Sequence, residues 1–202
     1  FDDPDYDPIN FDPYKGPFNS IATAFDASLS SPRVLIDKII LPEDNCAAIT
    51  AAIRNGKARI VSDGSYFPEE EAGGSAFIIT AGKKLSNKLT GLNWSPGTKD
   101  DQNPYRSELA GIDGGLSALA VIIQYYEINE GGIEIALDGE SALNQAKDNN
   151  GYLHISQTSF DLLQDIRNRL NLLPAAIKIK WRWVESHQRE KGLSMGLVCS
   201  AE

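Results

Sequence analysis

Arg59-Ile60-Val61-Ser62-Asp63-Gly64-Ser65 and Glu134-Ile135-Ala136-Leu137-Asp138-Gly139-Glu140-Ser141 follow one design: a short apolar run of strand type, an aspartate, then a glycine. An acid closing such a run is not a core residue. Two such acids meet only if their strands are parallel neighbours, and like charges that close need a counter-charge. A metal ion is the simplest one. The rest of the chain supplies elements that allow the meeting. Strands are expected at 58–62, 75–80, about 85–92, 133–137 and 177–184, and helices at 105–126, 141–147 and 160–172.

The first three strands are joined by short glycine-containing turns and form an antiparallel meander, whereas the last two follow helical crossovers and lie parallel to their neighbours. The expected fold class is therefore α/β: a five-stranded mixed sheet in the order 3-2-1-4-5, counted along the chain, with helices on both faces. The switch point falls between the first and fourth strands, and ligands sit outside the carboxyl ends of strands at such a point. Asp63 and Asp138 close those two strands.

Helix 105–126 carries Leu109, Ile112, Leu116, Leu119 and Ile123 on one face, although Gly114-Gly115 weakens it. Tyr105-Arg106-Ser107-Glu108 places Glu108 in the first turn, where it can point into the cleft of the two aspartates. Trp183-Val184-Glu185-Ser186-His187 leaves His187 where the last strand runs out, and histidine transfers protons near neutral pH.

Upstream, 1–16 mixes aspartate, proline and aromatics without a period of 2 or 3.6, and 34–41 is ambiguous. A short helix over 47–53, capped by Asp44 or Asn45, stops at Gly56. These features divide the chain into 1–57, an acidic tail plus short helix ending a linker or upstream region, and a domain over 58–202. The start at Phe1-Asp2-Asp3-Pro4 reads as a cut from a longer polypeptide, without the basic and apolar regions of a signal peptide. No apolar stretch approaches the roughly 20 residues needed to span a bilayer, so no membrane role and an intracellular location are expected.

The 202 residues carry a net charge of −9, which argues against indiscriminate nucleic-acid binding. The charge is uneven: 1–57 holds nine acids and five bases, whereas 167–191 holds Arg167, Arg169, Lys178, Lys180, Arg182, Arg189 and Lys191 against Glu185 and Glu190. Cys46 and Cys199 are isolated, so neither a zinc site nor a disulfide framework is indicated, and a reducing compartment is the default.

Asp-Gly-Ser closing one strand, Tyr-Arg-Ser-Glu-Leu opening a helix, Leu-Asp-Gly closing another strand and Val-x-x-His after the last strand resemble the ribonuclease H domain of retroelement (retrotransposon) reverse transcriptases over about 58–190. The resemblance implies a ribonuclease H-like fold and an endonuclease that hydrolyses the RNA strand of RNA/DNA hybrids with two Mg2+ ions, for which Mn2+ can substitute. Carried over by position, Asp63, Glu108 and Asp138 are metal ligands and catalytic residues, and His187 the proton-transfer residue. A reverse transcriptase domain in the same polyprotein is the implied partner. The chain departs from the pattern at its end: 192–202 has little helical signal, Glu190 follows His187 too closely, and Glu202 after Ala201 is the nearest match to the family's last acid.

Gly64 and Ser65 are candidates for a ribose 2′-hydroxyl, the group that separates RNA from DNA. Arg106, Ser141, Lys180 and Arg182 are further candidates for nucleic-acid contact. Lys178, Lys180 and Arg182 share one face of their strand and either shield an edge or meet phosphate. Trp181 and Trp183 read as packing residues, His154 and Glu69-Glu70-Glu71 as solvated surface. Two alternatives stand beside the hybrid nuclease: an inactive binding or spacer domain of the same fold, and another nuclease of the superfamily acting on DNA.

Overall fold

The computed structural model describes residues 18–30, 36–82, 87–148 and 151–185. The expected tail over 1–16, the segment 192–202, His187, Glu190, Cys199 and Glu202 lie outside the described residues. The element order is α1 (Ile21–Leu29), β1 (Lys38–Ile40), α2 (Ala47–Arg54), β2 (Ala58–Phe67), β3 (Ala72–Thr80), β4 (Leu89–Trp94), a 3-10 turn (Lys99–Asp101), α3 (Pro104–Tyr125), β5 (Glu130–Leu137), α4 (Glu140–Lys147), α5 (Phe160–Leu172) and β6 (Ala176–Trp183).

The sheet has six strands in the order β1-β4-β3-β2-β5-β6. The five expected strands keep their expected order, and the count is corrected by β1, which pairs antiparallel with β4 at the edge. Three residues, one of them Lys38, are too few for alternation to register. Strands β2, β3 and β4 form the antiparallel meander, whereas β2–β5 and β5–β6 are parallel.

A second correction concerns Asp63. It does not close its strand: β2 runs on through Gly64 to Phe67, with Asp63 opposite Ala76 of β3. What ends near Asp63 is the pairing with β5, whose last rung is Val61 opposite Ala136. Asp63 lies two residues beyond Val61, and Asp138 two beyond Ala136. The two aspartates are therefore level with each other, where β5 stops and β2 continues.

Helix α3 starts cleanly because Asn103 accepts a hydrogen bond from the Arg106 amide at 2.9 Å and Pro104 occupies the first position, where its missing N–H costs nothing. Leu109, Ile112, Leu116, Leu119 and Ile123 are all buried, each burial contributing roughly 1.5–3 kcal/mol. Ala118, Val121 and Ile122 are buried as well, so α3 is enclosed rather than one-sided. It lies across β2, β3 and β4, with α1, α4 and α5 against it. Gly114 and Gly115 make this closeness possible: a Cβ at Gly114 would come within 2.9 Å of the Phe77 ring, and one at Gly115 within 2.8 Å of Ile60 Cγ2. The helix propensity lost at these glycines is recovered as contact with the sheet.

Two ion pairs, the first of them buried, fix the helices to one another. Arg169 of α5 donates from Nε to Asp113 Oδ1 of α3 at 2.6 Å, with Asp113 fully buried. Arg54 of α2 donates to the Tyr126 carbonyl just past α3, and Asp44 accepts from the Cys46 and Ala48 amides at the start of α2, although the N-cap position is Cys46 rather than the expected Asp44 or Asn45. The second ion pair, between Arg106 and Asp161, joins the starts of α3 and α5.

Helices α1, α4 and α5 thus gather about α3 on one face, and α2 packs against β5 and β2. Helices were expected on both faces; among the described residues the other face carries none, and Val61, Leu92 and Trp94 on it are exposed. No described helix is long and apolar enough to cross a membrane.

Candidate metal centre

Asp63 from β2, Glu108 from α3 and Asp138 from the end of β5 each offer a carboxylate oxygen, and these atoms lie within 4.8 Å of one another. Three different elements must converge to make this cluster, and the two glycines of the Asp-Gly pairs permit it. A Cβ at Gly64 would fall 2.6 Å from the Ser107 carbonyl carbon and 2.9 Å from Glu108 Cα, so α3 can cross β2 here only over a residue without a side chain. A Cβ at Gly139 would fall 2.9 Å from Glu108 Cγ and 3.1 Å from its Cδ. Gly64 admits the helix backbone; Gly139 admits the glutamate side chain.

The electrostatics follow from this geometry. Burial pushes the Glu108 carboxyl from its ordinary 4.5 up to about 7, with the Asp138 and Asp63 charges adding to the rise and the Gly64 amide opposing it. Its Oε2 is buried with no hydrogen-bond partner among the described residues. Asp63, exposed on its outer side, is also raised, first by partial burial of its carboxyl and then by Asp138. A carboxylate with an orphaned buried oxygen, clustered with two further carboxylates, is poorly arranged for a metal-free protein and well arranged for a cation. All three donors are hard oxygens, the ligand type that Mg2+ or Mn2+ takes. The residues present fit a divalent ion.

Asp138 is held by its neighbours. The Trp183 indole Nε1–H donates to the Asp138 carbonyl at 2.9 Å, and the Val184 amide to the Leu137 carbonyl at 3.0 Å, so the end of β6 carries the end of β5. Trp183, expected from the sequence to be a packing residue, is half exposed and supports Asp138 through this bond. A polar seam steadies the start of α3: Asn93 Nδ2 donates to the Ala110 carbonyl at 3.0 Å and Ser95 donates to Ser107 Oγ at 3.1 Å.

The remaining candidates divide. Ser65 is exposed on β2 two residues past Asp63, and Ser141 is exposed in the first turn of α4, three residues past Asp138. Gly64 lies under α3. Arg106 is 4% exposed and spends its guanidinium on Asp161 and the Pro96 carbonyl, so it is a joint between α3, α5 and the preceding loop rather than a member of the cluster. Lys180 and Arg182 are exposed on β6, both within 3.5 Å of Glu134. His154 is exposed and bonded to Ser156, and Glu71 pairs with Lys99. The Cys46 thiol is buried and pushed up to about 12, first by that burial and then by Asp44, which makes it inert.

No family model matches the sequence, and no curated protein matches it. Among solved structures, the chain is similar to the N-terminal RNase H domain of a Mycobacterium tuberculosis protein, solved as a fusion with maltose-binding protein: 12% identity over 68% of this chain and 88% of that one, with a TM-score of 0.45. A likeness that distant assigns neither fold family nor activity.

Proposed function

We propose that this chain is a ribonuclease H-like endonuclease that hydrolyses the RNA strand of RNA/DNA hybrids at Asp63, Glu108 and Asp138, with Mg2+ as its metal and Mn2+ able to substitute. The observation that carries the reading is the convergence of these three carboxylates within 4.8 Å, with a buried unpartnered oxygen on Glu108. The strand order supports it, because five of the six strands have the ribonuclease H-like arrangement that the sequence motifs imply. Asp63, Glu108 and Asp138 would hold divalent metal, which when bound would supply activation of a water and stabilisation of the leaving oxygen of a phosphodiester.

The protein's own groups have distinct tasks in this reading. Asp63 and Asp138, level on adjacent parallel strands, hold the metal from the sheet, and Glu108 holds it from the helix side. Burial of Glu108 excludes water from the inner side of the site and strengthens its interaction with a cation. Ser65, exposed beyond Asp63, is assigned to the ribose 2′-hydroxyl of the cleaved strand. His187 and Glu202, outside the described residues, are assigned the proton transfer and the remaining metal ligand. An intracellular setting and a reverse transcriptase domain in the same polyprotein complete the proposal.

The test is cleavage of a hybrid labelled on its RNA strand, with Mg2+ and with chelator, by wild type and Asp63→Asn. The expected result is Mg2+-dependent cutting of the RNA strand that Asp63→Asn reduces to background. Binding without cutting by the wild type would favour an inactive domain of the same fold, and preferential cutting of duplex DNA would favour another nuclease class.

A further inference from the structure

The charge on the face of the sheet opposite α3 is organised as a ladder that climbs toward the carboxylates. Side chains alternate along a strand, so Arg59, Val61 and Asp63 share that face of β2, and Glu134 and Ala136 share it on β5. Lys178, Lys180 and Arg182 share it on β6, all of them exposed. The parallel register joins these residues into rungs. Arg59 stands opposite Glu134 and Glu134 opposite Lys180; one rung higher, Val61 stands opposite Ala136 and Ala136 opposite Arg182. Asp63 and Asp138 occupy the level above.

Glu134 arranges the middle rung. It lies 3.1 Å from Arg59, 3.5 Å from Lys180 and 3.5 Å from Arg182, and is itself only 13% exposed. One acid cannot neutralise three cations. Lys57 and Lys178 add to the excess where Lys57, Arg59, Lys178 and Lys180 line an open cavity of about 710 Å³ at the foot of β2, β5 and β6. Five cations about one acid, in a chain whose net charge is −9, is a local field opposite in sign to that of the molecule.

We propose that this ladder is a phosphate rail: the backbone of a nucleic-acid strand lies along Lys57, Arg59, Lys178, Lys180 and Arg182 and is led by it to the carboxylate cluster. The geometry suits the task. Arg59 and Asp63 are four residues apart on one face of a strand, about 13 Å, well inside one duplex turn of about 34 Å. Backbone phosphates fix register and orientation without reading sequence. The rail also accounts for how an acidic protein holds a polyanion near three carboxylates. It rests on the nuclease reading for what the cluster does and stands separately for what the rail binds.

The experiment is fluorescence anisotropy of a labelled RNA/DNA hybrid with the full chain in chelator, so that binding is read without cleavage, over about 50 to 200 mM salt. Lys178→Ala/Lys180→Ala is compared with Lys99→Ala/Lys147→Ala, a pair of exposed lysines in the turn before α3 and in α4, outside β2, β5 and β6. The rail predicts a plot of log affinity against log salt shallower by about 1 to 2 for the first pair, since each lost phosphate contact removes about 0.9 of slope, and weaker binding at low salt. The second pair keeps the wild-type slope. Equal slopes for both pairs, with both variants folded by circular dichroism, would overturn the rail, and so would loss of solubility of the first pair with affinity intact, the signature of lysines that merely shield an edge strand. Cleavage that persists beside equal slopes would sink the rail alone. Altered slope in a chain that cuts nothing would sink the nuclease reading alone.

Discussion

Gly64 lies beneath the backbone of α3, whereas Gly139 lies beneath the side chain of Glu108, and the difference shows that one dipeptide motif meets two separate demands. At Gly64 the neighbour is Ser107 and Glu108 main chain, which cannot turn aside without moving the whole helix off the sheet. At Gly139 the neighbour is Glu108 Cγ and Cδ, which can rotate away. The first glycine is a condition for the fold, and the second is a condition for the site. Their aspartates differ likewise: Asp63 is held in the middle of a paired strand, while Asp138 stands where its strand ends and depends on the β6 terminus through Trp183.

Substitution by alanine separates the two demands. Gly64→Ala is expected to destabilise the protein by about 3 kcal/mol, the upper part of the range for overpacking a rigid contact. Thermal or urea unfolding measures it, and a cost near zero would mean that α3 is not seated as described. The loss should persist in Gly64→Ala/Glu108→Ala, because the obstructing atoms at that site are backbone.

The raised carboxyl of Glu108 gives the next effect. A group whose folded value, about 7, exceeds its ordinary 4.5 favours the fold fully below the lower value, and that contribution is lost as pH rises through the upper one. In chelator, stability should fall between about pH 4.5 and pH 7, by at most about 3 kcal/mol for an unscreened shift of this size. The groups that face Glu108 and set this dependence are Asp63, Asp138 and the Gly64 amide. Glu108→Gln should flatten the profile, and Mg2+ should restore wild-type stability at the alkaline end. Unfolding midpoints measured across this range decide it; a flat wild-type profile would remove the electrostatic argument for a cation.

Gly139→Ala is expected to cost only about 1 kcal/mol, since a side chain can yield where a backbone cannot. Its larger consequence is for metal affinity, because the displaced group is the Glu108 carboxylate. The stability lost to Gly139→Ala should be recovered in Gly139→Ala/Glu108→Ala, in contrast with Gly64. Failure of that contrast would mean that the two glycines are equivalent after all. The smallest effect belongs to Trp183→Phe, which keeps an aromatic ring and removes the hydrogen bond to Asp138, at about 0.5 kcal/mol by the same unfolding measurement.

Much of this arrangement was legible before the structure. The two aspartates could be found because each follows a short apolar run in the sequence and Glu108 because it falls in the first turn of a helix, and the strand order followed from counting turns and crossovers. The elements that escaped notice did so for physical reasons. Strand β1 is too short for a period, and β2 appeared to stop at Asp63 because glycine interrupts an alternating pattern that in fact continues to Phe67. Helix α1 carried a readable signal in the Ser20 and Thr23 capping box ahead of Ile21, Ala24 and Phe25. The Arg106–Asp161 pair is not legible in the sequence, because the partners lie 55 positions apart and only the packing of α5 on α3 brings them together. The reason for each glycine was likewise beyond a linear reading, since it is set by a helix that arrives from elsewhere in the chain.

The account stands most directly on calorimetric titration of the full chain with Mn2+ at a pH above 7, comparing wild type with Asp63→Asn, Glu108→Gln and Asp138→Asn. Binding to the wild type that is weakened or lost in every one of the three variants is the predicted result. No binding to the wild type, or binding that none of the three substitutions alters, would contradict it.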